Sequence, residues 1–251
     1  MSSLVTAILR LLRRRATRQA LPLLLVFSAA TPVRGGLALD VTNWTDRSSS
    51  ATSITSPAFT TASSNELLLA FVATDARSAG VTVTGVTGAG LTWVLVKRTN
   101  SQLGTAEIWR AFAPSVLSSV TVRANLSQSV AASITVVTFI GADASGTNGS
   151  GAIGNAASAS APSGAPSASL VTTRDGSWVL GVGNDWDNAI GRTVGTNQTL
   201  VHQYLATVGD TYWVQRFLVP TALAGTSVTL NDTAPTTDRY NLFAVEVRPH
   251  Q

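Results

Sequence analysis

The sequence predicts an all-β fold: an antiparallel β-sandwich, jelly-roll or immunoglobulin-like, built from two internally repeated halves of about six strands each. Three observations lead there. Beyond Asp40 no segment sustains the apolar spacing of an amphipathic helix; short apolar or alternating runs are broken by Gly, Asn, Asp and Pro. Charged residues make up only 12% of the chain, while Gly, Ser, Thr and Ala are plentiful, a mix typical of extracellular β modules. The same series of strand-like segments then occurs twice, in the same order.

The first series places strands near 52–61, 65–74, 80–86, 91–98, 104–113, 118–124 and 131–141. The second places them near 168–173, 177–184, 198–206, 210–219, 226–231 and 239–248. FTTASSNELLLAFV, Phe59 to Val72, aligns with LVTTRDGSWVLGVG, Leu170 to Gly183. LTWVLVKR aligns with QTLVHQYL or its neighbour TLVHQYLA, GTAEIWRAFAP with GDTYWVQRFLVP, SVTVRAN with SVTLNDT, and SITVVTF with NLFAVEV. The repeat halves are 52–142 and 168–248, within one domain at 51–248. Between them, 144–166 is expected to be a Gly/Ala/Ser-rich loop. The halves fit either two small sandwiches or one pseudo-symmetric sandwich. The second is favoured, because a half of roughly 90 residues without disulfides has a thin core. LLLAFVA is apolar on both faces, which suits a central strand covered on both sides.

Residues 1–30 read as a signal peptide: arginines, then the apolar run Leu21–Phe27, then Ser28-Ala29-Ala30. Cleavage is expected after Ala30, with Ala38 as second choice; Arg13–Arg15 leaves twin-arginine export open. The apolar run is too short to span a bilayer, so no transmembrane span is expected in the mature chain. An N-terminal segment, 31–50, precedes the sandwich, and no sorting motif or anchor is visible after Val247. The formal net charge of +4 comes from this leader: six arginines precede Asp40, and the remaining 11 basic residues face 13 acidic ones. That argues against a nucleic-acid partner. The chain has no cysteine, so neither a disulfide nor a thiol nucleophile is available. Asn-x-Ser/Thr occurs at Asn43, Asn125, Asn148, Asn197 and Asn231, which matters only in a eukaryotic host.

ELLLAFVA, VTVTGVTGAGLTWVLV, AEIWRAFAP, VTVRA and ITVVTFIGAD resemble a group of bacterial secreted β-sandwich modules. GVGNDWDNAI and TTDRYNLFAVEV resemble the second half of the same unit. Such modules sit beside immunoglobulin-like and fibronectin type III domains in surface proteins. The resemblance covers almost the whole chain after the leader. It implies a secreted or cell-surface location and no defined chemistry.

The chemically richest stretch is GVGNDWDNAIGR, Gly181 to Arg192. Asn184, Asp185, Trp186, Asp187 and Asn188 are the candidate ligand-binding residues. An exposed indole flanked by Asn and Asp can stack on a sugar ring while the polar groups take its hydroxyls. Trp44 shares that setting, whereas Trp93, Trp109, Trp178 and Trp213 fall in strands and are expected in the core. Asp185 and Asp187 could also hold calcium through hard oxygens, although the EF-hand pattern fails. A pair of hydrolytic carboxylates is a weaker reading, because neighbours on one strand rarely flank a scissile bond from opposite sides. The plainest reading is an Asx-rich turn whose side chains cap backbone amides.

Other motifs carry less. GSGAIG, Gly149 to Gly154, matches a dinucleotide pattern but is not followed by a helix-like segment. The only two histidines are His202, on a strand, and His250, near the end; no G-x-S-x-G elbow exists. Asp238 and Arg239 are placed to pair in the loop before the last strand. The expected function is therefore a non-catalytic secreted or cell-surface module, structural or adhesive, with no cofactor beyond candidate calcium. Carbohydrate binding through Trp186 is the alternative, with a glycan or cell-surface polymer as partner. A carbohydrate-active hydrolase comes third.

Overall fold

Strands and turns account for residues 36–251, the part of the chain that the computed structural model describes. The expected signal peptide and its cleavage point after Ala30 lie outside the described residues; Ala38, the alternative point, is the first residue of a strand. The strands in chain order are β1 (Ala38–Thr55), β2 (Glu66–Thr74), β3 (Val83–Gly88), β4 (Val94–Thr99), β5 (Thr105–Ala113), β6 (Val122–Ile140) and β7 (Ile153–Ala161). They continue with β8 (Ser167–Val171), β9 (Trp178–Asp185), β10 (Thr193–Val194), β11 (Gln198–Leu205), β12 (Thr211–Phe217), β13 (Ser227–Ala234) and β14 (Tyr240–Val247). No helix occurs among the described residues, so none is long and apolar enough to cross a membrane.

All strand pairs are antiparallel. One sheet has the order β1-β6-β2-β5-β4, with β3 also pairing β6; a second has β11-β12-β9-β14-β7; a third has β10-β13-β8. The first two sheets face each other. Leu67, Leu69 and Phe71 of β2 and Ile108 of β5 pack with Leu180 and Val182 of β9, Tyr212 of β12 and Phe243 of β14. This is the central apolar layer.

The opposite faces are covered too. Leu68, Ala70 and Val72 of β2 pack under Val83 and Val86 of β3, Ala124 and Leu126 of β6, and Ile54 of β1. On the far side Val179 of β9 and Leu242 of β14 pack under Leu170 of β8 and Leu230 of β13. β2 is buried at every position, which explains its unbroken apolar run: alternation has no solvent face to mark.

β9 meets the same demand with glycine. Gly183 lies directly opposite Trp213 of β12, and a Cβ at Gly183 would overlap the indole. The ring fills the space that the missing side chain leaves. Gly183→Ala is therefore expected to cost about 1–3 kcal/mol through overpacking, read as a lower urea midpoint at unchanged slope.

Three sequence expectations need correction. The tract 144–166 is not a plain loop, because β7 occupies Ile153–Ala161 and pairs along β14. Its Ala157, Ala159 and Ala161 pack inward with two-residue spacing, but alanine is a poor strand former and hides the pattern. The segment 31–50 is not separate from the sandwich: β1 begins at Ala38 and pairs β6 across bulges, where Val41 to Arg47 alternate only weakly. Finally, the runs near 118–124 and 131–141 join into the single β6, because polar Ser127, Gln128 and Ser129 interrupt the apolar pattern without ending the ladder.

Candidate functional site

β9 runs at the centre of its sheet, and its pairing with β12 and β14 ends at Asp185. Asn184 and Asp185 thus take their positions from the ladder, while Trp186, Asp187 and Asn188 begin the loop that leaves it. Each of the five side chains already has a protein partner. The Asn184 amide donates to Leu103 O at 3.1 Å, and its Oδ1 accepts from Asn241 Nδ2 at 2.9 Å. Asn241 Oδ1 in turn accepts from the Gln102 backbone at 3.0 Å. The β4–β5 turn is thereby tied to the second sheet. Gly104 in that turn sits at φ 84°, and a Cβ there would overlap the Asn184 amide.

Asp185 Oδ1 accepts the Asp187 amide at 2.8 Å, the Asx turn that the sequence suggested. Asp185 Oδ2 pairs with Arg192, and both side chains are almost wholly buried. Trp186 Nε1 donates to Asp75 Oδ1 at 2.7 Å. Asp75 directly follows β2, as Trp186 directly follows β9, so the exits of the two central strands are joined. Asp187 accepts from the Arg239 backbone at 2.8 Å and pairs with Arg239 Nε at 2.6 Å. The Arg239 guanidinium lies 5.1 Å from the Trp186 ring centroid, over one of its faces. Asn188 Nδ2 donates to Asp238 Oδ1 at 3.0 Å. The expected Asp238–Arg239 pair therefore does not form, because Arg239 turns to Asp187 instead.

These residues do not converge on one open face. Asp185 and Asp187 point to different arginines, and Trp186 is half-buried against the first sheet's outer cluster. Among the described residues no group of three or more His, Asp or Glu side chains is arranged to hold a metal ion. With both carboxylates held by guanidinium groups, a chelator is expected to leave the melting temperature unchanged; a fall of several degrees in EDTA, reversed by calcium, would support the calcium reading.

Behind the stretch lies a knot of buried charge. The Arg192 guanidinium sits 4.3 Å over the Trp213 ring and faces Asp185. Asp232 on β13 is buried, and neither of its oxygens has a hydrogen bond among the described residues. Burial pushes the Asp232 carboxyl up to about 7, with Arg192 opposing only in part. Burial likewise pushes Asp185 up to about 6 against the pull of Arg192, and it lowers Arg192. Asp210 is pushed up to about 7 by burial, against the hydrogen bond from Tyr212.

A second polar group closes the β1 and β11 margin of the sandwich. His202 Nε2 on β11 lies 2.9 and 3.0 Å from the two oxygens of Asp46 on β1. The carboxylate can only accept, so Nε2 carries the proton. The Trp44 indole stacks on the imidazole at 4.7 Å and 21°, and Trp44 remains 46% exposed. Ser133 donates to Asp46 Oδ1 at 2.8 Å, and no hydroxyl bonds the imidazole among the described residues. A nucleophile–base pair is therefore not assembled here. GSGAIG leads into strand β7 rather than a helix, so the helix terminus that would hold a pyrophosphate is missing at that place.

No family model, curated protein or solved structure matches the chain. Arg192, Asp232 and Asp46 are the charged partners that sequence reasoning did not single out. Arg192 carried one signal: it is the only cation within ten residues of the Asp185–Asp187 pair. Asp46 and Asp232 carried none, since His202 and Arg192 lie 156 and 40 residues away in sequence.

Proposed function

We propose that the chain is a non-catalytic β-sandwich module of secreted or cell-surface type, structural or adhesive in role. The observation that carries this reading is the internal engagement of Asn184, Asp185, Trp186, Asp187 and Asn188. Groups poised for acid–base chemistry need an open site and a substrate-facing position. Here the acids are held by arginines, and the loop joins the two facing sheets.

We also infer that the module is two copies of one unit. Edge to edge, the first sheet runs β1-β6-β2-β5-β4, and the second runs β7-β14-β9-β12-β11. Four of the five positions hold strands that the alignment pairs: β2 with β9, β5 with β12, β4 with β11, and the second part of β6 with β14. β3 pairs β6 as β10 pairs β13, and the end of β1 pairs β6 as β8 pairs β13. The likeness to bacterial secreted sandwich modules and the leader-like residues 1–30 support export.

The test is incubation with a panel of neutral and acidic polysaccharides, assayed for new reducing ends. The reading expects no release above buffer. Release that disappears in Asp185→Asn would overturn it in favour of a hydrolase.

A further inference from the structure

We propose that Trp44 is the platform of a binding site for a neutral pyranose of an extended glycan. Trp44 is one of the largest side chains left in solvent, on an edge strand whose partner β6 holds it at a fixed register opposite Thr135. Its orientation is set from below. The imidazole of His202 stacks under the indole, and Asp46 fixes that imidazole through Nε2. Asp46 is held in turn by Ser133. A flat aromatic surface braced in this way loses little freedom when a ligand lands on it.

The surroundings select the ligand. Beside the indole is an open depression of about 260 Å³ lined by Thr42, Asn43, Trp44 and Pro57. None of the four carries a charge, which disfavours phosphate, carboxylate or ammonium ligands. The Asn43 amide donates to Pro57 O at 3.2 Å, while its Oδ1 is buried and has no partner among the described residues. The Thr42 hydroxyl on the same lining can meet a sugar hydroxyl. An apolar face edged by hydroxyls matches an indole edged by a neutral amide and a hydroxyl. The depression is smaller and more open than the ~300–1,000 Å³ pockets that enclose free small molecules. It fits one ring of a longer chain that continues past the site.

The site adds a ligand to the module proposed above and stands apart from that module's being non-catalytic. The probes are hexamers of β-1,4-linked glucose, xylose, mannose and N-acetylglucosamine, followed by tryptophan fluorescence and affinity electrophoresis. At least one hexamer is expected to bind with a millimolar or better dissociation constant. Trp44→Ala is expected to weaken it about tenfold or more, Trp44→Tyr much less, and Trp186→Phe not at all. Unchanged circular dichroism of Trp44→Ala shows that the variant is folded. Lack of binding to all four hexamers, or binding that Trp44→Ala leaves intact, overturns the site and leaves the non-catalytic reading standing. Binding at Trp44 accompanied by cleavage of the hexamer overturns the non-catalytic reading and leaves the site standing.

Discussion

Replacing Arg192 by Met is expected to lower the melting temperature by about 6–20 °C, among the largest effects of any single substitution in this chain. The guanidinium is nearly free of solvent contact, stacks on Trp213, and is the cation facing Asp185 and Asp232. Methionine keeps much of the volume but leaves buried carboxylates uncompensated. Losing one partner of a buried pair typically costs about 3–5 kcal/mol. Removing both charges should cost less than removing one. Asp185→Asn combined with Arg192→Met is therefore expected to be more stable than Arg192→Met alone. Differential scanning calorimetry of the two variants checks both statements, and a loss under about 1 kcal/mol in Arg192→Met would show the knot to be open to water.

The second large effect is on pH. Asp210 and Asp232 titrate near 7 in the folded protein and near 4 once unfolded. Above pH 7 both are charged in either state, and the folded state carries the burden of buried charge. As pH falls through 7 the folded state takes up protons that the unfolded chain does not, so stability rises. The gain is complete near pH 4, where both states are protonated. Asp143, held near 2 against burial by the Ser145 backbone amide and by Arg174, works oppositely, but only below about pH 4. The melting temperature is thus expected to climb by several degrees between pH 8 and pH 5. Asp232→Asn should raise it at pH 8 and flatten the remaining rise. An Asp232→Asn protein less stable than the parent at pH 8 would contradict the account.

The fold was largely legible because strand alternation and turn residues are local signals. β2, β5 and β9 fall within one residue of their expected bounds, and β12 ends two residues early, where Leu218 and Val219 are apolar but exposed loop residues. β7 was not legible, because alanine and serine side chains carry little contrast between faces. The start of β1 was hidden by bulges that break the two-residue period. The site was legible as residues but not as partners. Asn184 to Asn188 stood out by composition, yet the groups that engage them come from Leu103, Asp75, Asp238, Arg239 and Arg192. Four of these five lie fifty or more residues away, where no spacing rule reaches. Trp44 and Trp186 looked alike in sequence, since each has an Asn and an Asp within two residues. Tertiary contacts separated them: Asp75 draws Trp186 inward, while His202 props Trp44 at the surface.

The central claim is that the stretch after β9 locks the two facing sheets together through bonds between them. A double-mutant cycle on Asp75→Ala and Trp186→Phe, measured by urea unfolding, tests it most directly, because the Trp186 Nε1 to Asp75 bond joins the exits of β2 and β9. The account predicts a coupling energy of about 1.5–3 kcal/mol, that of a hydrogen bond to a charged group. Losses that add to within about 0.5 kcal/mol would contradict it, leaving the stretch free of the interlock and available to a ligand.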